Sequence, residues 1–359
     1  MKLFKSLLVA PATLGLLAPM SASANEVTIN DFNAAEEIAV TNSRVDGLEA
    51  RFNNLEAGSF SETTTASFGV DFLVGAVDGA SNEKTTFDYQ MGIGLETSFT
   101  GEDSLSATID IGNASSVIGG TSGLNFDGTS DALVLDGLTY TFPLGGTTVM
   151  VGDNTDISAV YTGACAYSAF TDYMGNCGTG NSVGVGGNGA TAAMSYAFDS
   201  GFSLAGGVSA TQIKADGTVP GLLTEEGTDT YGIEAAYTAD SWGVSVAYAD
   251  DETNTYWGIN GTYAFDALSI SAGVESEDSG SATAEGFFVG LSFPEVGPGS
   301  FDIGMGTTDN FADGATETYI YEASYSYPIN DGMTITPGIY IREGATDQTG
   351  FAVKTSFSF

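Results

Sequence analysis

The sequence predicts an all-β protein, a sixteen-stranded antiparallel transmembrane β-barrel behind a short N-terminal helix or coiled coil. Three observations predict it: period-two alternation through most of the chain, an exchange of short and long connections, and a last strand that ends on an aromatic residue. In that last stretch Phe351, Val353, Phe357 and Phe359 share one strand face, and Ala352, Lys354, Ser356 and Ser358 share the other. Side chains alternate faces along a strand, so one wall is apolar and the other small and polar. Thr355 departs from the fully apolar pattern. A chain that stops on an exposed ring suits the aromatic girdle of a membrane barrel, at the boundary of lipid and water.

Residues 1–24 read as a secretory signal peptide: Lys2 and Lys5 start it, Leu7 to Leu17 form an apolar run, and Ala22-Ser23-Ala24 is a cleavage site. No later stretch approaches the roughly 18 apolar residues of a spanning helix, so any crossing is made by strands. In residues 25–60, Ile38, Val45, Leu48, Phe52 and Leu55 form an a/d seam with charged residues on the other faces, and Gly58 provides a stop. The segment is expected to be a short coiled coil that oligomerises through Val45, Leu48, Phe52 and Leu55. The alternative is a lone amphipathic helix that plugs the lumen or lies on the membrane.

Residues 61–359 are expected to form the barrel, with strands at 63–77, 86–99, 104–112, 131–142, 146–152, 189–198, 202–213, 229–238, 242–250, 254–265, 268–276, 283–293, 300–308, 317–327, 333–342 and 350–359. Fourteen and eighteen strands are the neighbouring counts. Trp242, Val244, Val246 and Tyr248 oppose Ser241, Gly243, Ser245 and Ala247, and the two rings stand about 20 Å apart, near the height of an apolar band. Connections after even strands are short; those after odd strands, such as 113–130 and 153–188, are mostly longer and acidic. Most even strands end in Phe or Tyr, which places one girdle at the rim that holds both termini. In the fourth strand Phe142 and Asp136 would face lipid together, so a bulge is expected near Gly137.

Composition excludes several functions. The formal charge of −38 argues against binding nucleic acid or an anionic lipid surface. With 42% hydrophobic residues the chain is no charged disordered tract. The absence of histidine removes the commonest general base and metal ligand, and with it any Ser/His/Asp arrangement. The run GVGGNG (Gly184 to Gly189) lacks a following Lys-Ser/Thr and is no phosphate loop. No cofactor is expected. Cys165 and Cys177 match no zinc spacing. In an exported chain they read as a disulfide stapling the loop, worth about 3 kcal/mol; the alternative is two free thiols.

The terminal strand, the alternating connections and the long fifth connection resemble outer-membrane general porins. In porins of sixteen strands the third extracellular loop, after strand 5, folds into the lumen and narrows it. The charged segment VDGLEARFNNLEA (Val45 to Ala57) before a Gly-, Thr- and Phe-rich barrel is most similar to the porins of cyanobacterial outer membranes. Those usually carry an S-layer-homology module, which residues 25–40 do not show. The resemblance implies an integral outer-membrane location, a periplasmic N-terminal segment and a homotrimer.

With the aromatic face outward, Asp71, Glu96, Asp110, Glu234, Asp302 and Glu322 face the pore, against Arg342 and Lys354. Such a lumen should favour cations or small neutral solutes. Asp153, Asp156 and Asp172 are the candidates for a constriction loop, and a solvated acidic loop face is the plain alternative. General porins set a row of arginines against that loop; this sequence has none. The acidic extracellular loops could also take divalent cations that bridge to lipopolysaccharide. The expected function is passive diffusion of ions and small hydrophilic solutes with mild cation preference. The rivals are a solute-specific channel, a structural or adhesive surface protein with an occluded barrel, and a secreted acidic β-solenoid.

Overall fold

Alternating bulky and small residues draw the chain into sixteen wall strands. They are β1 (Thr64–Asp78), β2 (Thr86–Thr97), β3 (Ser104–Gly112), β4 (Val134–Leu144), β5 (Thr147–Thr155), β6 (Gly189–Ala197), β7 (Phe202–Ala210) and β8 (Asp229–Thr238). The second half supplies β9 (Trp242–Asp250), β10 (Thr255–Ala264), β11 (Ser269–Asp278), β12 (Thr283–Val296), β13 (Gly299–Thr307), β14 (Tyr319–Asn330), β15 (Met333–Arg342) and β16 (Gln348–Ser358). The structure is a computed structural model and describes residues 64–80, 83–114, 124, 126, 128–174, 189–210, 221–224, 228–308, 311–312 and 315–359. The signal peptide, the 25–60 segment with Val45, Leu48, Phe52 and Leu55, and Cys177 lie outside the described residues.

Each wall strand pairs antiparallel with its neighbours in the chain, and β1 also pairs with β16, so the sheet closes on itself. A further two-residue strand, Phe311–Ala312, pairs with β12 and leaves the direct β13–β14 pairing intact. Closure satisfies every ladder without an edge, the condition for strands to cross lipid. The closing seam runs from Gly69 opposite Ser358 to Asp78 opposite Thr349. Below it, Phe68 and Phe359 exchange backbone hydrogen bonds of 2.9 and 3.1 Å, and their rings stack at 5.6 Å.

The polarity of the wall is inverted relative to a water-soluble barrel, which hides its large apolar side chains. On β9, Trp242, Val246 and Tyr248 are 42–46% exposed, whereas Ser245 and Ala247 on the inner face are 3% and 6% exposed. Aromatic pairs crowd the outer surface at the terminal rim: Tyr140 with Phe142, Tyr196 with Phe198, Tyr237 with Trp242 and Tyr263 with Phe265, at centroid separations of 4.6–5.5 Å.

Turns at that rim are short. Gly145, at φ +64, makes the two-residue link between β4 and β5, a conformation a side chain would resist. In the β2–β3 turn the Asp103 carboxylate accepts hydrogen bonds from the Phe99 and Thr100 amides and from the Ser98, Thr100 and Tyr140 hydroxyls, at 2.7–2.9 Å. Burial works against its charge, but the bonds from Thr100, Tyr140 and Ser98 outweigh it and hold the carboxyl well below the usual carboxylate range.

The expected bulge in β4 is present. Thr108 pairs with Gly137 but Ile109 with Leu135, which leaves Asp136 as the extra residue. Asn154 Nδ2 donates to the freed carbonyls of Leu135 and Asp136 at 2.6 and 3.2 Å. Leu135 and Leu138 can then both face outward.

Candidate functional site

The chain between β5 and β6 enters the barrel. Its entry is capped: Asp156 accepts from the Ser158 amide at 2.7 Å at the head of a short 3-10 helix, Ile157–Val160. Ile157 is buried with Met150 of β5 and Ala193 of β6, and Val160 and Tyr161 pack against them. The chain then follows the inner wall. Thr162 and Gly163 donate their amides to the two oxygens of Glu234 on β8, at 2.7 and 2.8 Å. Ala166 donates to Ser271 Oγ on β11 at 2.9 Å. Glu322 on β14 then accepts four bonds: Tyr167 OH and the Phe170 amide on Oε1 at 2.6 and 2.8 Å, and the Thr171 amide and hydroxyl on Oε2. Met174 finally bridges to Thr308.

Small residues on the wall make room for this course. A Cβ added to Gly290 on β12 would stand 2.1 Å from the Tyr167 ring, and one on Gly304 of β13 would stand 2.4 Å from its hydroxyl. Gly338 on β15 meets Phe170 in the same way, and Gly232 on β8 meets Tyr161. Tyr167, Met174, Phe288, Ile320 and Tyr340 belong to one buried apolar cluster inside the barrel, with Leu73, Val77 and Ala352 of β1 and β16. Leu124, from the β3–β4 connection, joins the same cluster. Burial first, and the Glu322 carboxylate second, push the Tyr167 phenol upward, so it remains a protonated donor.

The expected pore-facing residues divide into two groups. Glu234 and Glu322 face inward but are only 1% and 3% exposed, because the inserted chain covers them. They differ from the sequence expectation of open lumen charges: their oxygens are occupied by backbone amides and hydroxyls. Asp302, 8% exposed, accepts from Ser292 Oγ at 2.6 Å. The guanidinium of Arg342 lies 4.3 Å from the centroid of the Tyr173 ring.

The other group stands on the arc from β16 through β3. Asp71 accepts from Gln90 Nε2 at 2.8 Å, and Glu96 is exposed. Asp110 lies opposite Gly92, two residues along the same face from Gln90. Lys354 faces the same interior, opposite Leu73 and Thr336.

The acidic residues expected in the constriction loop separate as well. Asp153 belongs to β5, opposite Leu138 on the outer face, because the strand runs on to Thr155 through a bulge at Asn154 (φ +57). Asp156 is the helix cap. Asp172 is exposed on the inserted chain, between buried Thr171 and half-buried Tyr173. Cys165, on the same chain, is disulfide-bonded. The glycine row and the Tyr167 and Thr171 hydroxyls were not singled out by sequence reasoning. The signal that could have found them is glycine recurring at inward positions of nearby strands.

No family model matches the chain. It is 39% identical over 111 residues to an uncharacterized protein of Nostoc sp. (strain PCC 7120), a match that covers 30% of this chain and only 19% of that protein. Among solved structures, a high-pH structure of Pseudomonas putida OprB aligns with a TM-score of 0.64 at 12% identity, over 83% of this chain and 94% of that one. A mutant of Rhodobacter blastica porin aligns at 0.56 and 18% identity, over 82% of this chain and all of that one. A loop-deletion mutant of OmpT, an outer membrane protein of Vibrio cholerae, aligns at 0.59 and 12% identity over 83% of this chain. These likenesses define a class of architecture, the closed antiparallel barrel with an apolar exterior. The particular barrel they share with this chain is the porin fold.

Proposed function

We propose that the chain is an outer-membrane channel through which ions and small hydrophilic solutes pass by diffusion. The observation that carries this reading is a closed ring with apolar side chains outside and polar ones inside, narrowed by a connection anchored to its inner wall. A wall of that polarity is suited to lipid, and a lumen of this kind sorts solutes by size and charge. Asp71, Glu96 and Asp110 outnumber Lys354 on the arc from β16 through β3, which supports mild cation preference. In this reading residues 1–24 are the export signal, residues 25–60 lie in the periplasm, and the barrel works as a homotrimer. Acidic loop residues would bridge through divalent cations to lipopolysaccharide.

The test is planar-bilayer recording of purified mature protein, with reversal potentials across a KCl gradient at low and high salt. Conductance in groups of three steps, with a cation preference that fades as salt screens the lumen, is the expected result. Folded protein without conductance would overturn the reading.

A further inference from the structure

We infer that Glu234 and Glu322 are positioning residues that set the width of the passage by clasping the inserted chain, rather than charges that select ions. This rests on the channel reading above.

An ionised carboxylate accepts hydrogen bonds and donates none. Glu322 receives four donors from Tyr167, Phe170 and Thr171, and Glu234 receives the adjacent amides of Thr162 and Gly163. Both side chains are almost fully buried. A charge taken out of water is costly unless it is bonded in this way, and charge-assisted bonds to backbone amides are among the stronger ones.

The two sites grip the chain on both sides of Cys165, on β8 and β14. Between them the chain meets the wall through single hydroxyls: the Ala166 amide donates to Ser271 Oγ of β11, and Ser292 Oγ of β12 donates to the Ala166 carbonyl. The glycines beneath Tyr161, Tyr167 and Phe170 let the chain lie close to the wall but offer no bond to hold it there. Beside the apolar cluster around Tyr167 and the Met174–Thr308 bridge, the position of the chain, and so the free cross-section, therefore depends on these two carboxylates. Their oxygens are taken by inserted donors and covered from the lumen, unlike the exposed Glu96.

The test compares Glu322→Gln and Glu234→Gln with Asp71→Asn in the full mature protein. Glutamine keeps the shape of glutamate but turns an NH2 donor toward other donors. Three readouts are taken: amide hydrogen exchange of the 162–171 segment, solute exclusion limit by liposome swelling, and reversal potential. Glu322→Gln is expected to speed exchange at Phe170 and Thr171, admit larger solutes and raise single-channel conductance. Its reversal potential should move less than that of Asp71→Asn, which leaves the exclusion limit in place. Glu234→Gln should act in the same direction and less strongly, since two donors are lost rather than four.

The inference is overturned if Glu322→Gln leaves exchange and exclusion limit at wild-type values, or if it shifts only the reversal potential as Asp71→Asn does. Should Glu322→Gln give no heat-modifiable barrel, the pair Tyr167→Phe and Thr171→Val removes two of the four donors without touching the wall. It must widen the exclusion limit to sustain the inference. Wild-type protein that conducts nothing sinks the channel reading instead, and hydrogen exchange still decides whether the clasp exists.

Discussion

Glu322 on β14 and Asp71 on β1 both point into the barrel, yet their surroundings differ. Glu322 is covered by the chain it binds, with four donors on its two oxygens. Asp71 meets a wall neighbour, Gln90, and remains half-buried. The same contrast holds for whole arcs. From β6 to β15 the inner wall carries glycines, serines and glutamates that receive an inserted chain; from β16 through β3 it carries the acidic residues Asp71, Glu96 and Asp110. One sequence pattern, small or polar residues at every second position, thus serves two purposes. Where backbone amides of the inserted chain reach an inward carboxylate, as at Glu322, it acts as an anchor.

The largest effect that would break this comparison is expected from filling the glycine row. Gly290→Val places carbon atoms where the base of the Tyr167 ring now lies, and a ring base cannot move as a flexible side-chain end can. Overpacking of this kind costs about 1–3 kcal/mol. The variant should lose the Tyr167–Glu322 bond, unfold at lower temperature by heat-modifiability and admit larger solutes in liposome swelling.

Next in size is the change on the open arc. Neutralising Asp71, Glu96 and Asp110 together, as Asp71→Asn, Glu96→Gln and Asp110→Asn, should bring the reversal potential close to the unselective value at low salt. The difference from wild type should shrink at high salt, where the screening length falls from about 10 Å at 0.1 M to about 3 Å at 1 M. The exclusion limit should stay where it was. A changed exclusion limit with an unchanged potential would reverse the roles assigned to the two arcs.

Smaller effects are expected at the junction where wall gives way to inserted chain. Asp156→Ala removes the cap of the Ile157–Val160 turn, a loss of about 0.5–2 kcal/mol for a capping side chain. Faster amide exchange at Ser158 with a nearly unchanged exclusion limit would show that the glutamates, not the entry turn, hold the chain.

The smallest effect on passage should come from Asp103, which touches neither arc. Its folded pKa is depressed, so its contribution to stability is fully present above the ordinary aspartate range, about 4, and is lost as pH falls below it. Asp103→Asn should therefore lower the unfolding temperature at neutral pH. Variant and wild type should converge as heat-modifiability is followed to lower pH.

These contrasts mark how far the sequence could be read. The wall was legible almost to the residue, because alternation is local: β3, β8, β9 and β15 fall where period two puts them. Even the irregularity in β4 could be read, since Asp136 and Phe142 could not both face lipid. The end of β5 could not, because the bulge at Asn154 carries the strand past the point where its apolar face stops.

Glu234 and Glu322 were legible as inward and misread as open charges. Their partners include backbone amides, which have no side-chain signature and lie 71 or more residues away in the chain. The constriction was expected from family resemblance, and nothing in the local pattern of residues 156–174 says which strands it would touch.

The seam between β1 and β16 sets an order of events for assembly. Every other seam of the ring joins strands consecutive in the chain and can form as a hairpin, at small loop-closure cost. The last seam joins the two ends of the barrel sequence and finishes with Phe68 and Phe359 exchanging hydrogen bonds. It pairs residues far apart in the chain, the kind of contact that slows folding. Until it forms, β1 and β15 or β16 present open ladders that lipid cannot satisfy. A chain released before its final strand is complete would therefore carry two unsatisfied edges into the membrane, and the closing step would be the one an assembly catalyst has most reason to accelerate.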